Sequence, residues 1–174
     1  QGLHKSGSGS IVQYDNEERF WPTAQDYIST RMTMVRHSIL GFIVGVIPGA
    51  GATIASLMAY SVERSISKNP ENFGKGEMAG LVAPETANNA ASSGAMIPLL
   101  TLGIPGSAST AVLLAAFLMW GLRPGPLFME QNPELAWGLI ASMYLGNMAL
   151  LAISIFAIPL FVQLIKVPYR ILGP

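Results

Sequence analysis

The sequence predicts an all-α integral membrane protein, with transmembrane helices and two broken, re-entrant helical hairpins that have Pro-Gly tips. Charged residues make up only 11% of the 174 residues, and 51% are hydrophobic, whereas a soluble domain typically carries about 25% charged residues. No Asp, Glu, Lys or Arg occurs in residues 38–62, 86–122 or 135–165, and uncharged apolar stretches of this length are typical of membrane spans. Two of the three stretches contain a Pro-Gly pair, which should break a helix.

Composition excludes several classes of protein. Ten basic and ten acidic residues give no net charge, so we expect no nucleic-acid partner, because such a partner needs a basic surface. The high hydrophobic content argues against a disordered chain. The absence of cysteine excludes a disulfide scaffold, a cysteine zinc site and a thiol nucleophile. No nucleophile–base pair is evident, so we expect no enzyme, and an intramembrane enzyme ranks well behind the alternatives given below.

The distribution of charge divides the chain into two parts. Residues 1–37 are predicted to be a polar linker or interfacial segment, and residues 38–174 a transmembrane domain. Within the first part, residues 22–37 are compatible with a short interfacial helix and with a solvated loop. Because the chain begins with Gln1 rather than Met, we expect it to be a fragment of a longer protein.

The three uncharged stretches predict different membrane segments. Residues 38–62 are long enough for one span, but the Pro-Gly pair at 48–49 should divide them into two half-length helices. Residues 86–122 would reach about 55 Å as one helix, longer than the roughly 30 Å hydrocarbon core, and the pair at 105–106 interrupts them. Residues 135–165 would reach about 47 Å and are predicted to form one long tilted span.

The two Pro-Gly breaks belong to an internal repeat. Residues 47–60 read IPGAGATIASLMAY, and residues 104–117 read IPGSASTAVLLAAF. A helix broken within a membrane frees N–H groups that suit an anion and carbonyls that suit a cation such as Na⁺, whose ligands the sequence does not identify. Paired breaks therefore predict a transporter binding site, and residues 38–174 would form the transporter domain. The alternative is that each pair only kinks a helix or joins two helices.

A polar stripe lies between the two breaks. Glu85, Asn88, Asn89 and Ser92 are spaced so that they share one face of a helix. A polar stripe on an apolar membrane helix faces protein or water, so Asn88 and Asn89 are predicted to line a site or to join helices in a structural network. Glu85 could serve in charge coupling, or it could simply favour a helix N-terminus after Pro84.

The basic residues predict the topology. The polar loop at 61–77 carries several of them and should lie in the cytoplasm. The first broken segment would then enter and leave from the cytoplasm, residues 78–95 would cross outward, and the second broken segment would be a hairpin from the outside. The loop at 123–134 would lie outside, and residues 135–165 would return inward.

Several motifs in residues 41–128 together resemble a known family. They are PGAGAT at 48–53, FGKG at 73–76, APE at 83–85, ANNA at 87–90, LGIPGS at 102–107 and GLRPGP at 121–126. These motifs resemble the large membrane (permease) subunit of the tripartite tricarboxylate transporter family. By this resemblance the chain would be a fragment of the second half of that subunit and part of an inverted-repeat transporter.

The resemblance implies a function. Such proteins are multi-pass permeases of the bacterial inner membrane that work with a periplasmic solute-binding protein and a small membrane subunit. They import tricarboxylates or related carboxylates by symport, driven by an ion gradient, here of Na⁺ or H⁺, and need no cofactor beyond the coupling ion. Two alternatives stay open from the residues alone: a passive channel, and a purely structural membrane subunit that docks partners.

The resemblance also implies which residues contact substrate or ion. They lie in the two breaks and on the polar stripe, and they are Pro48, Gly49, Ala50, Gly51, Thr53, Asn88, Asn89, Pro105, Gly106, Ser107, Ser109 and Thr110. The chain departs from the family pattern at Arg36-His37, where Arg-Gly is common, and at Glu63-Arg64, where Glu-Lys is commoner. Neither departure falls on these residues.

Overall fold

A computed structural model describes residues 23–165, and all regular structure in this range is helical. The all-α prediction is confirmed for these residues, whereas residues 1–22 of the predicted polar segment lie outside them. A 3₁₀ turn at Pro70–Asn72 follows the second helix. The α-helices are α1 (Ala24–Val46), α2 (Gly51–Ile66), α3 (Met78–Gly94), α4 (Met96–Leu102), α5 (Ala108–Met119), α6 (Phe128–Gln131) and α7 (Pro133–Ile165).

Helix α1 begins well before the first uncharged stretch. The Thr23 hydroxyl accepts a hydrogen bond from the Asp26 N–H, and the Asp26 carboxylate accepts one from the Thr23 N–H, which forms a capping box. No proline follows until residue 48, so the helix continues across the expected boundary at residues 37 and 38. The first of the two expected half-length helices is therefore part of a helix of 23 residues.

Both Pro-Gly breaks lie where the sequence predicts them. Helix α1 ends before the first pair and α2 begins after it, while α4 ends and α5 begins on either side of the second. A further break at Ala95, between α3 and α4, was not expected. Its physical reason is Pro98, which cannot donate a hydrogen bond to the carbonyl of Gly94 and whose ring would clash with that carbonyl in a continuous helix.

Helices α1, α2 and α3 pack closely through small residues. A Cβ atom added to Gly41 would lie 2.3 Å from the Ala87 carbonyl oxygen, and one added to Gly45 would lie 2.3 Å from that of Ala91. The constant offset between the paired positions shows that α1 and α3 run parallel. Ala55 and Ala59 bring the antiparallel α2 against the same pair of helices. Such close approach of small residues is typical of membrane helix packing.

A second apolar cluster joins the later helices. Leu99 of α4 and Phe128 of α6 are its largest fully buried side chains. Phe117 of α5 packs on Phe128 with a ring-centroid distance of 6.0 Å. Ala136 brings the beginning of α7 into contact with this cluster. These contacts join α4 and α5, the helices on either side of the second break, to α6 and α7.

Helix α7 is the one described helix that is long and apolar enough to cross a membrane, over Pro133–Ile158. Its 33 residues form one uninterrupted helix, about 50 Å long, as the sequence predicts for this stretch. Beyond its first turns most of its side chains are exposed. The re-entrant course of the hairpins and the inverted repeat stay predictions.

Candidate functional site

The two Pro-Gly breaks meet in space, although more than fifty residues separate them in the sequence. A Cβ atom added to Gly51 would lie 3.9 Å from the Gly106 carbonyl oxygen and 4.0 Å from Ser107 Cβ. One added to Gly106 would lie 3.3 Å from the carbonyl oxygen of Gly45, at the end of α1, and 3.1 Å from Ala95 Cβ. A side chain at position 106 would therefore require the end of α1 or Ala95 to shift by a few tenths of an ångström.

A cavity of about 500 Å³ lies between the two breaks and α3. Polar and small side chains dominate its lining. Of the predicted site residues, it is lined by Gly49, Gly51, Thr53, Asn88, Ser107, Ser109 and Thr110, whereas Pro48, Ala50, Pro105, Gly106 and Asn89 are not among its lining residues. The structure thus brings residues from both repeats and from the polar stripe to one site.

The helix N-terminus of the first repeat has no side-chain cap. Gly49 and Gly51 have φ values of +83° and +68°, and Ala50 between them has −67°. A side chain would strain both glycines, and the Ala50 N–H between them donates to the Ile47 carbonyl (3.2 Å). No side-chain oxygen caps Ala50. The first N–H groups of a helix have no intrahelical acceptor, so those of α2 are open to an anion in the cavity.

The helix N-terminus of the second repeat is capped by its own side chains. The Ser107 hydroxyl accepts a hydrogen bond from the Thr110 N–H (3.3 Å), and the Thr110 hydroxyl accepts one from the Ser107 N–H (2.8 Å). The Thr110 hydroxyl also donates to the Ser107 carbonyl (2.9 Å). Thr110 is buried. Its hydroxyl therefore holds the shape of the break, and its hydrogen is already donated within the chain.

The polar stripe on α3 is divided between two sites. Asn88 lines the cavity at the breaks, whereas Asn89 lines a separate groove together with Ser38 of α1 and Asn147 of α7. The Asn89 side-chain amide donates to the Glu85 carbonyl (3.0 Å). Ser92 lines both spaces. The two asparagines, adjacent in the sequence, therefore point towards different surroundings.

Glu85 is exposed and forms no ion pair with any described residue. Pro84 lies in the interior of α3, which begins at Met78. Glu85 is therefore too far along the helix to interact with its N-terminus. Of the two explanations for this residue, the helix-start explanation is the one that the structure contradicts.

A buried polar cluster joins α1 to α2, and the sequence analysis did not identify it. The Glu63 carboxylate accepts hydrogen bonds from the Thr33 hydroxyl (2.8 Å) and from Arg36 Nη1 (2.6 Å). The Nε2 atom of His37, a fully buried residue, lies 2.8 Å from Glu63 Oε2. The available signal was the four-residue spacing of Thr33, His37 and Gly41, which places the histidine on the packed face of α1.

The described residues offer no cluster of histidine or acidic side chains that could hold a metal ion. Within residues 23–165, no three such side chains come together. The cavity at the breaks is lined instead by hydroxyl, amide and backbone groups. A monovalent cation there would depend on oxygen atoms of these groups, and its ligands stay unassigned.

Comparison with known proteins identifies the family. The profile of the Tripartite tricarboxylate transporter TctA family matches residues 2–174. The chain belongs to this family. Members of the TctA family are membrane components of transporters and not enzymes, which agrees with the expectation that the chain has no catalytic role. No solved structure matches the chain.

Two relatives of this TctA-family chain come from Agrobacterium vitis. One is described as "Uncharacterized 52.8 kDa protein in TAR-I ttuC' 3'region" and is 44% identical over 154 residues, which are 88% of this chain and 31% of the relative. The other is described as "Uncharacterized protein in TAR-II ttuC' 3'region" and is 46% identical over 134 residues, which are 77% of this chain and 55% of the relative. The chain thus spans about a third of one relative and about half of the other.

Proposed function

We propose that the chain is part of the permease subunit of a binding-protein-dependent secondary transporter. This transporter imports tricarboxylates or related carboxylates across the bacterial inner membrane by symport with Na⁺ or H⁺. Its partners are a periplasmic solute-binding protein, which delivers the carboxylate, and a small membrane subunit. Membership of the TctA family supports the general role. The carboxylate site between the two breaks is the part of the proposal that rests on the geometry.

The observation that carries the proposal is the cavity to which both breaks contribute. The uncapped N-terminus of α2 offers free N–H groups and the positive end of a helix dipole to a negatively charged ligand. Asn88 adds a side-chain amide from a third helix. A carboxylate needs donors from several directions and no covalent chemistry, and this set of groups provides that. A volume of about 500 Å³ lies within the range usual for small-molecule sites, roughly 300–1,000 Å³.

The proposed transport cycle uses the helix pairs as moving parts. The carboxylate enters from the outer face and binds between the two breaks, which lie within the membrane as the tips of re-entrant hairpins. A co-transported cation offsets the charge of the anion. Movement of one hairpin against the other then opens the cavity to the cytoplasm, as in other transporters that have paired broken helices.

Uptake by the full-length protein tests this proposal. The protein would be reconstituted in proteoliposomes with its small subunit, and labelled citrate and a panel of di- and monocarboxylates would be offered. We expect accumulation that requires both the binding protein and an inward gradient of Na⁺ or protons. Flux without any gradient would favour a channel. The absence of uptake by a correctly inserted complex, across the whole panel, would contradict the proposal.

Two variants at Ser107 probe the charge of the ligand. Asp and Asn are about equally good N-caps, so Ser107→Asp and Ser107→Asn should both preserve the start of α5. They differ by one negative charge at the cavity. Repulsion between two charges 4 Å apart is roughly 4 kcal/mol at an effective dielectric constant of 20. We therefore expect Ser107→Asp to lower carboxylate uptake by about a hundredfold or more relative to Ser107→Asn. Equal uptake by the two variants would exclude an anion from this position.

A further inference from the structure

The cluster at His37 and Glu63 contains a vacant proton acceptor. A carboxylate that already accepts hydrogen bonds from Thr33 and Arg36 is ionised and can only accept, so the His37 Nε2 atom carries the hydrogen and donates it to Glu63. In the neutral ring the Nδ1 atom then holds a free lone pair. Within residues 23–165, no polar atom forms a hydrogen bond with Nδ1, although the side chain is fully buried.

We propose that His37 is the site where the coupling proton binds, at Nδ1, with Glu63 fixing the ring through Nε2. This inference rests on the proposed function and deepens it, because it identifies the coupling ion as a proton and assigns its position. Burying histidine and carboxylate side chains inside a membrane protein is energetically costly. Such residues are therefore rare there, and proton relays are one of the functions in which they occur.

Arg36 and Glu63 are the charged groups in the cluster at His37. Arg36 pairs with Glu63, and its side chain is 42% exposed, so the cluster has no net charge while the His37 ring is neutral. Gly41 packs on Ala87 and Gly45 on Ala91, and the same register places Ala83 of α3 beside His37. The other charged residues of the three helices form no ion pair with a described residue. They are Asp26 and Arg31 on α1, Arg64 on α2, Glu77 at the N-cap of α3 and Glu85 within α3.

The proton step needs only water as the second reactant. When the cycle opens the cluster to the outer side, a hydronium ion gives its proton to Nδ1 and leaves as water, and the ring becomes an imidazolium. The Nε2–H group continues to donate to Glu63 throughout. When the cycle opens the cluster inward, the Nδ1–H bond breaks, the proton passes to cytoplasmic water, and the neutral ring returns.

The position of the cluster connects it to the carboxylate cavity. Glu63 belongs to α2 and its three partners belong to α1, so the cluster fastens the two helices together at the end opposite their connecting break. About 14 Å of helix separate His37 from the end of α1 at Val46. A change of charge at Nδ1 therefore acts on the same helix pair whose break lines the cavity. This shared helix pair is the element through which protonation would act on the cavity in the proposal.

Direct observation of the ring tests the proton site independently of transport. Full-length protein with nitrogen-15-labelled histidine would be titrated by NMR in lipid, and the His37 signals would be assigned from their absence in His37→Gln. We expect acidification to convert the signal of an unprotonated Nδ1 to that of an imidazolium. A ring that stays neutral at every pH at which the protein remains folded would overturn the proposal.

Transport measurements test whether this proton drives uptake. The variant His37→Gln retains a donor towards Glu63 and has no proton acceptor, and Arg64→Gln is the matched control on the exposed side of α2. For each protein, citrate accumulation under an inward proton gradient would be divided by the exchange of labelled for unlabelled citrate. We expect this ratio to fall about tenfold or more in His37→Gln and to be unchanged in Arg64→Gln.

The outcomes separate this inference from the proposed function. Exchange and Na⁺-driven accumulation by the wild-type protein, without accumulation in a proton gradient, would support the permease and overturn the proton site. An unchanged ratio in His37→Gln would also overturn it. Failure of the wild-type protein to exchange or accumulate any carboxylate would instead contradict the proposed function, and the titration would still decide whether Nδ1 binds a proton.

If His37→Gln fails to insert, the same ratio would be measured for Glu63→Gln. This variant removes the charge that holds the ring, and an unchanged ratio would again overturn the proposal.

Discussion

At the scale of single residues, two helices of this chain begin with the same device. Thr23 with Asp26 at α1 and Ser107 with Thr110 at α5 each form a reciprocal pair of side-chain and backbone hydrogen bonds. The first pair includes a carboxylate and the second does not, so only the first responds to pH. The second lies at the proposed binding cavity, where a carboxylate cap would make the geometry of the cavity depend on pH.

Lowering the pH should therefore loosen the first turn of α1. Hydrogen bonds from the Thr23 backbone N–H (2.7 Å) and the Thr23 hydroxyl (2.8 Å) hold the pKa of Asp26 below its ordinary value. Because the folded-state pKa is lowered, the stabilising contribution is present above the ordinary carboxyl pKa and is lost as the pH falls through the lowered value. We expect the protection of the Thr23 amide against hydrogen exchange, corrected for intrinsic rates, to decrease over that window. Asp26→Asn should show no such decrease, and an equal decrease in both proteins would refute this explanation.

At the scale of helices, the sequence allowed the two Pro-Gly breaks to be predicted, because proline and glycine act locally. It did not allow the start of α1 or the break at Ala95 to be predicted. The first depends on a cap that lies outside the apolar stretch, and the second on Pro98, which is inconspicuous within an apolar stretch. The close packing of α1 on α3 was missed for a different reason. Alanine and glycine at four-residue spacing indicate close approach only when the partner helix is known.

Replacing Gly41 with alanine tests this packing. The added methyl group would lie 2.3 Å from the Ala87 carbonyl oxygen and 2.6 Å from its Cα, and backbone atoms cannot rotate away as a side chain can. Overpacking of this kind typically costs about 1–3 kcal/mol, so the midpoint of thermal unfolding of the full-length protein in detergent should fall. Gly138→Ala in α7 is the matched control: nothing described lies within 4 Å of the new methyl group, and the alanine should stabilise the helix by up to about 1 kcal/mol. Equal midpoints for the two variants would contradict the proposed α1–α3 packing.

At the scale of the whole molecule, the sequence predicted that the two breaks lie together, but not how the polar stripe is divided between two cavities. The motif repeat indicates the first point, and the structure brings Gly51 and Gly106 into proximity. The assignment of Asn88 and Asn89 to one site could not be refined from spacing. Neighbouring residues on a helix point about 100° apart, and which of them faces the cavity depends on where α2, α5 and α7 pack. The sequence showed His37 only as a departure from the family pattern, because its partner Glu63 lies 26 residues away on another helix.

The orientation of the whole chain in the membrane can be tested with two single cysteines, since this sequence contains none. Ser67 lies at the end of α2 in the polar loop that is predicted to be cytoplasmic, and Asn132 lies just before α7 in the loop that is predicted to be outside. Any cysteine elsewhere in the full-length protein would first be replaced. We expect a membrane-impermeant thiol reagent to label Asn132→Cys in intact cells, and Ser67→Cys only after the membrane is opened. The physical reason is the excess of lysine and arginine near the first loop, which keeps such segments in the cytoplasm.

Labelling of both variants in detergent provides the reference for full reactivity. Labelling of both from the same side of the intact membrane would require an even number of crossings between the two loops, and the hairpins could then not enter from opposite faces as the proposed cycle needs.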